Sequence, residues 1–160
     1  NIVHKLPFEK SNGVMKKDAI KSLIVHHDGV KTPWVYDTYK RILQEARYHV
    51  SKGWNHISYH YIIDNVGDIF QCLPETEIGY HAGNLPVNKS SIAVCVQGNF
   101  NEQKPTARQV KALRELCTYL FTGRPDLPNL LWSDLKGHRE VRVAGTACPG
   151  NNLFNIIKSW

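Results

Sequence analysis

The stretch "SLIVHH", residues 22–27, is short, apolar and β-branched until it ends in His26 and His27. Such a run is typical of a strand in a buried sheet. Because successive side chains of a strand point to opposite faces, only one of the two histidines can face a given site. Spacing alone leaves both choices open. The stretch therefore predicts a core strand that presents one imidazole to a site at its end.

Other segments predict further strands. "SIAVCVQGNF", residues 91–100, is typical of a central strand. Residues 56–72 alternate in polarity and contain turn residues at 65–67, a pattern typical of a β-hairpin. "NLLWSDL", residues 129–135, is a candidate for one more short strand.

Helices are predicted between these strands. Residues 36–52 form one candidate, with Asp37 as N-cap and Gly53 as stop. Residues 106–121 form a second, capped by Thr106 and closed by Gly123, and "NLFNIIKSW", residues 152–160, predicts a closing amphipathic helix. The apolar stripe of the first helix is Ile42, Leu43, Ala46 and Val50, and that of the second is Val110, Leu113, Leu116, Cys117 and Leu120.

The alternation of strands and helices, with one hairpin included, predicts an α/β fold whose central sheet is mixed and flanked by helices on both faces. A chain of 160 residues has the size of a single domain with one core. Its longest apolar runs are far shorter than the roughly 20 residues of a membrane helix, and nothing in it resembles a secretion signal. We therefore expect a soluble monomer with no membrane partner.

The net charge indicates which kinds of partner the protein favours, and the cysteine spacing indicates the redox state of the thiols. Twenty basic and fourteen acidic side chains give a formal net charge of +6. This excess favours a polyanionic neighbour such as nucleic acid, a membrane surface or an anionic cell wall, although a mildly basic surface without a specific partner explains it as well. The four cysteines follow neither a disulfide framework nor a CxxC spacing, so we expect them to be reduced.

The stretch "GHREVRVAGTACPG", residues 137–150, holds a possible half of a metal site. Catalytic zinc typically takes three nitrogen or sulfur ligands and keeps a fourth position for water. His138 lies in a glycine-bounded turn. Cys148 precedes a proline and a helix start, where backbone charge favours a thiolate and a metal would remove the proton. Taken alone, however, such a cysteine is more often a small core residue.

Four motifs together resemble a known family. "IVHH", "SYHYII" after "GW", "GYHAGN" followed by "NKSSIAVCVQGNF", and "GHREV" followed by "GTACPG" occur in this order. They resemble the type 2 N-acetylmuramoyl-L-alanine amidases, a superfamily that includes phage endolysins and peptidoglycan recognition proteins. The resemblance runs from about Ser22 to the C-terminus. It predicts a zinc amidase domain over residues 22–160, with residues 1–21 as an N-terminal extension packed on it.

The resemblance implies that one Zn²⁺ ion is held by His26, His138 and Cys148. Recognition proteins that only bind have usually lost the cysteine, so its presence favours an enzyme. The implied reaction is hydrolysis of the amide between N-acetylmuramic acid and L-alanine in peptidoglycan, and hence lysis of the cell wall. The protein would be made in the cytoplasm and act on the wall after release or export. Anionic wall polymers are a possible second partner, and no nucleic acid is expected.

Two residues are assigned catalytic roles. Tyr59 matches a family tyrosine that orients the zinc-bound water or the substrate, and a core tyrosine is the alternative. In a strand Tyr59 and Tyr61 would share one face while His60 takes the other. Thr146 is placed to donate a hydrogen bond to the developing oxyanion, and capping a turn is its alternative. Some bacterial relatives carry a glutamate general base where this chain has Cys95, so the general base is unassigned.

Substrate binding is assigned to His81, which resembles a residue at the cleft wall, and to Asn88, whose alternative is tying down a loop. We interpret the remaining histidines of this region, His27, His49, His56 and His60, as packing, capping or supporting residues.

Two rival functions remain open at this stage. One is a module that binds muropeptides without cutting them. The other is a cysteine hydrolase in which Cys148 is the nucleophile and His138 the base.

Overall fold

The computed structural model describes residues 1–31 and 37–160. Its strands are β1 (Ser22–His27), β2 (Tyr61–Ile63), β3 (Ile69–Gln71), β4 (Ser91–Val96) and β5 (Leu135–Gly137). They form one five-stranded sheet in the order β3-β2-β4-β1-β5. Strand β1 runs parallel to β4 and β5, β2 runs parallel to β4, and β3 runs antiparallel to β2. The predicted mixed sheet is confirmed, and the central strand predicted within residues 91–100 is β4, which ends at Val96.

The α-helices in the described ranges are α1 (Thr38–Ser51), α2 (Leu85–Asn88), α3 (Ala107–Thr122) and α4 (Asn151–Ile157). Asp37 caps α1 by accepting a hydrogen bond from the Lys40 amide at 3.0 Å, as expected. Tyr36, where the sequence pattern started this helix, lies outside the described residues. Thr106 and Gln109 form a reciprocal capping box at the start of α3.

Helices cover both faces of the sheet. On β4, Ile92, Val94 and Val96 belong to the core that contains the buried face of α3 and part of α4. Cys95, between them, points to the opposite face and belongs to the core that contains Ile42 of α1. The two-residue period of the strand therefore separates the two cores, and the predicted fold class is confirmed.

The apolar stripes of the helices are slightly displaced from their predicted positions. In α1 the buried residues are Ile42, Ala46 and His49, so Leu43 and Val50 lie at the margin of the stripe and are half-buried. In α3 the predicted residues are buried except Val110, which is half-buried.

The strand predicted at residues 129–135 is wrong in its bounds, because β5 starts only at Leu135. A 3₁₀ turn, Trp132–Asp134, occupies the preceding residues. The Asp134 carboxylate accepts the Leu131 amide at 2.8 Å, and the Asp134 amide donates to the Leu131 carbonyl at 2.8 Å. These local bonds satisfy the backbone that a sheet ladder would otherwise have paired.

The N-terminal 21 residues pack against the rest of the chain. Met15 and Ile20 are buried in the α3 core. The Glu77 carboxylate accepts hydrogen bonds from the Ser11 hydroxyl at 2.9 Å and from the Asn12 amide at 2.8 Å. The division between residues 21 and 22 stays a prediction.

No helix within residues 1–31 and 37–160 combines the length and the apolar character needed to cross a bilayer.

Removing side-chain volume from the α3 core should destabilise the protein. Leu113 is fully buried there, so Leu113→Ala should lower the free energy of unfolding by about 2–5 kcal/mol. Urea denaturation monitored by circular dichroism measures the change. Leu131→Ala is the control because Leu131 is 64% exposed, and its change should stay within about 0.5 kcal/mol. Equal effects of the two substitutions would contradict this account of the core.

Candidate metal centre

Three side chains from distant parts of the chain meet at one edge of the sheet. His26 lies near the carboxyl end of β1, His138 follows β5 directly, and Cys148 lies in the loop before α4. Because β1 and β5 are parallel neighbours, their carboxyl ends reach the same edge. One nitrogen or sulfur atom from each residue lies within 4.8 Å of the others. The Cys148 Sγ atom is 3.7 Å from His26 Nδ1.

Strand geometry decides between the two adjacent histidines. The ring of His26 lies 4.4 Å, centroid to centroid, from the ring of His138. His27 points to the other face of β1, where its Nδ1 accepts a hydrogen bond from the Phe100 amide at 3.1 Å. The sequence left this choice open until the resemblance was considered, and the structure brings His26 into the cluster.

One donor atom of the cluster, on His138, is left available in the way a metal requires. His138 Nε2 is buried and has no hydrogen-bond partner in the described part of the chain. The backbone of Ala82 forms a hydrogen bond with the His138 side chain. Such an orphaned buried nitrogen is costly unless a ligand completes it. Two imidazoles and one thiol match the donor types of zinc sites with one open position.

Burial controls the protonation of these groups. It lowers the pKa of His26 well below the ordinary value, and the neighbouring His81 and His138 add to the effect. The pKa of His138 is also lowered, mainly by burial. Both rings are therefore neutral at pH 7 and can offer a lone pair. Burial raises the pKa of Cys148 to about 12, so it outweighs the helix start that follows, and the thiolate depends on a bound cation.

Tyr59 lies beside the cluster, with its ring 5.2 Å from the ring of His26. The expectation that Tyr59 and Tyr61 share a face is wrong: Tyr59 packs with the α1 core and Tyr61 with the α3 core. The reason is that β2 begins only at Tyr61. The chain bends at His60, just before β2, and the His60 ring bonds the Ala93 amide at 2.9 Å and the Glu77 carbonyl at 2.9 Å.

Thr146 is half-buried, and its hydroxyl oxygen accepts the Cys148 amide at 3.2 Å. This contact is the turn-capping role weighed as its alternative. The hydroxyl proton is not consumed by that bond and remains available to a substrate oxygen. The assignment of Thr146 to the oxyanion stays a prediction.

His81 and Asn88 form a supporting layer under the cluster. His81 is buried, its Nδ1 is 3.0 Å from His26 Nε2, and its Nε2 is 3.2 Å from the Ser91 hydroxyl. The Asn88 side-chain oxygen accepts the amides of His81 and Ala82 at 3.3 and 2.8 Å. Asn88 thus ties down the loop that carries His81, and the assignment of both residues to substrate binding stays a prediction.

A cavity of about 850 Å³ adjoins the cluster, and Tyr59 and α1 form parts of its wall. Within it the Arg41 guanidinium pairs with Asp28, with Nε 2.9 Å from the carboxylate. Glu45 also lines it, and its Oε2 atom is buried without a hydrogen-bond partner among the described residues. Sequence reasoning missed Glu45. The available signal was its position in α1: this acidic residue comes directly before Ala46, and the helical period places it beside the buried stripe.

The chain belongs to the N-acetylmuramoyl-L-alanine amidase family, whose sequence profile matches residues 16–151. It is 32% identical over 114 residues to peptidoglycan-recognition protein SC2 of Drosophila melanogaster, and the match covers 71% of this chain and 58% of that relative. The chain therefore spans little more than half the length of this relative.

Solved structures agree with the fold. The N-acetylmuramoyl-L-alanine amidase LysC from Clostridium intestinale URNW superposes with a TM-score of 0.73 at 29% identity, over 93% of this chain and 89% of that one. The wild-type Drosophila protein PGRP-LB superposes with a TM-score of 0.77 at 28% identity, over 96% of this chain and 87% of that one.

The contact between His81 and His26 predicts that His81→Ala weakens zinc binding about 10- to 100-fold, because a ligand imidazole loses the group that orients it. Competition with a fluorescent chelator measures the affinity. His56→Ala is the control, since His56 is also buried but its side chain bonds Asn12 and Glu77. A zinc affinity lowered no further by His81→Ala than by His56→Ala would contradict an orienting role.

The raised pKa of Cys148 predicts a proton-linked zinc affinity. Below a pKa of about 12 the metal-free thiol is protonated, while both imidazoles are already neutral. Zinc binding should therefore release one proton, and the apparent affinity should rise about tenfold per pH unit between pH 6 and 8. The same chelator competition at several pH values checks the slope. A pH-independent affinity would show that the metal does not displace the thiol proton.

Proposed function

We propose that this protein is a zinc-dependent amidase that hydrolyses the amide between N-acetylmuramic acid and L-alanine in bacterial peptidoglycan. The observation that carries the proposal is the meeting of His26, His138 and Cys148 within 4.8 Å. Family membership gives the reaction class. The name of the Drosophila relative, a peptidoglycan-recognition protein, supports peptidoglycan as the partner.

In this proposal His26, His138 and Cys148 hold one Zn²⁺ ion. Two neutral imidazoles and one thiolate leave the site with a net charge of +1, because only the thiolate offsets the charge of the ion. When bound, zinc would supply a Lewis acid that polarises the scissile carbonyl and activates water. His81 fixes the His26 ring through the 3.0 Å contact between their nitrogens.

Tyr59 is proposed to orient the attacking water or the carbonyl by donating a hydrogen bond. Burial, with smaller contributions from Cys95 and Glu45, raises the pKa of its phenol well above the ordinary value. The phenol is therefore a donor and not a base at neutral pH. Thr146, with its free hydroxyl proton, is proposed to stabilise the oxyanion.

Cys95 does not replace the missing glutamate as a general base. Its side chain is fully buried, and burial raises the pKa of its thiol well above the ordinary value. The thiol thus stays protonated, and the proton for the departing amine comes from the attacking water. The positive net charge of the chain is proposed to favour attachment to anionic wall polymers once the protein reaches the wall.

Incubation with purified sacculi tests the reaction. The wild-type protein should release new L-alanine amino termini, which mass spectrometry identifies. A chelator should abolish the release and Zn²⁺ should restore it, and Cys148→Ser should lower kcat/KM at least a hundredfold because a charged ligand is lost. Cys117→Ala is the control, since Cys117 is a buried thiol in the α3 core, and it should retain activity.

Three results would contradict the proposal. Activity that survives the chelator but not Cys148→Ser would favour the cysteine hydrolase. Full activity of Cys148→Ser would exclude both catalytic schemes. Binding of sacculi by the zinc-loaded protein without new amino termini would favour a recognition module.

A further inference from the structure

The outer surface of α3 carries an unbalanced positive charge. Within Ala107–Thr122 the basic residues are Arg108, Lys111 and Arg114, and the one acidic residue is Glu115. The helix therefore holds two of the six net positive charges of the chain. Its apolar face is buried in the α3 core, so these four charged side chains lie on the solvent side, where all of them are exposed.

Two of these cations are available to an anionic ligand. Arg114 forms no ion pair in the described part of the chain, and its guanidinium carbon lies 6.0 Å from the centre of the Trp132 ring and 5.7 Å from that of Trp160. A guanidinium that packs its face on aromatic rings keeps N–H donors at its edge for a phosphate. Lys111 pairs with Glu115 at 3.8 Å, and both side chains are mostly exposed. Such a surface pair is weak, so a ligand phosphate can replace it.

A surface cavity of about 550 Å³ lies beside these cations. Besides Lys111 and Arg114, its wall includes three side chains with hydroxyl groups, those of Thr118, Tyr119 and Thr122. The two threonine hydroxyls donate to the helix carbonyls four residues earlier, each at 2.9 Å, so their oxygens remain as acceptors. Tyr119 is 49% exposed and adds apolar ring surface. The cavity therefore combines donors for phosphate with acceptors for hydroxyl groups.

We propose that the α3 surface, defined by Lys111, Arg114, Thr118, Tyr119 and Thr122, binds the phosphodiester-linked polyol chains of bacterial cell walls. Such a chain offers phosphates to the two cations and hydroxyl donors to the threonine oxygens. None of these five residues lines the cavity beside the metal centre. The protein can therefore hold a wall polymer without occupying the metal centre.

Ring geometry favours this ligand over a single-stranded nucleic acid, which binds by stacking its bases on open aromatic faces. The Trp132 ring packs edge to face with the rings of Phe121 and Trp160, at centroid distances of 5.2 and 5.8 Å. Arg114 lies over both indole rings. These contacts occupy faces on which bases would stack, whereas recognition of phosphate and hydroxyl groups needs none of them.

Binding of a synthetic glycerol phosphate oligomer tests the proposal. The comparison ligand is oligothymidylate with the same number of phosphates. Isothermal titration of the zinc-loaded protein at low ionic strength should give a Kd at least about tenfold lower for the glycerol phosphate oligomer, because only its hydroxyl groups find acceptors. The double variant Lys111→Gln/Arg114→Gln should raise the Kd for this oligomer at least about tenfold, because two charge-assisted contacts are lost.

The double variant Lys10→Gln/Arg47→Gln is the matched control. It removes the same charge from exposed residues of the N-terminal segment and α1 that line neither cavity. Its Kd should stay within about twofold of the wild-type value, because distant surface charges are largely screened. Lys111→Gln alone guards against a folding defect, since the surface pair with Glu115 contributes little to stability. Its Kd should lie between those of the wild type and the Lys111→Gln/Arg114→Gln variant.

Three results would overturn the proposal. Equal effects of the two double variants would show that the affinity follows the net charge and not the α3 surface. Tighter binding of oligothymidylate than of the glycerol phosphate oligomer would favour a nucleic acid as the ligand. Absence of wild-type binding at millimolar oligomer would exclude the site. The oligomers contain no amide, so these outcomes are independent of whether the protein hydrolyses peptidoglycan.

Discussion

The parallel pairing of β1 with β5 is the constraint on which the site depends. It joins a strand near the start of the chain to one more than a hundred residues later, and Val25 pairs with Gly137 in the register. His26 and His138 directly follow these paired residues, so the pairing brings their rings to a centroid distance of 4.4 Å. A shift of one residue in β1 would exchange His26 for His27 and aim the first imidazole at the α3 core.

Two other features of the fold complete the ligand cluster. The loop before α4 returns Cys148 to the same edge, where its sulfur accepts the His27 amide at 3.3 Å. Gly137 keeps the turn into His138 close to this loop, since a Cβ atom there would lie 2.7 Å from the Phe154 ring and 3.0 Å from Pro149. The cluster is therefore preorganised by backbone contacts and packing, and the ion would have few residues to order when it binds.

Much of the fold followed from local patterns. The bounds of β1, the Asp37 and Thr106 caps and the hairpin across residues 65–67 all depend on neighbouring residues, which sequence displays directly. The ligand cluster was predicted by resemblance, because no local pattern says which distant residues meet. Tyr59 and Asp134 show where local reasoning fails: β2 starts only after Tyr59, and near Asp134 side-chain bonds to the backbone replace the predicted strand. Glu45 was missed because its burial arises from the way α1 packs on the sheet.

The central claim is that one thiolate and two imidazoles converge on a single zinc ion with a position left for solvent. X-ray absorption at the zinc K-edge, on protein loaded with one equivalent of Zn²⁺, tests it most directly. The account predicts one sulfur neighbour at about 2.3 Å and three nitrogen or oxygen neighbours at about 2.0–2.1 Å, with the sulfur signal lost in Cys148→Ser. A shell without sulfur, or one that Cys148→Ser leaves unchanged, would contradict it.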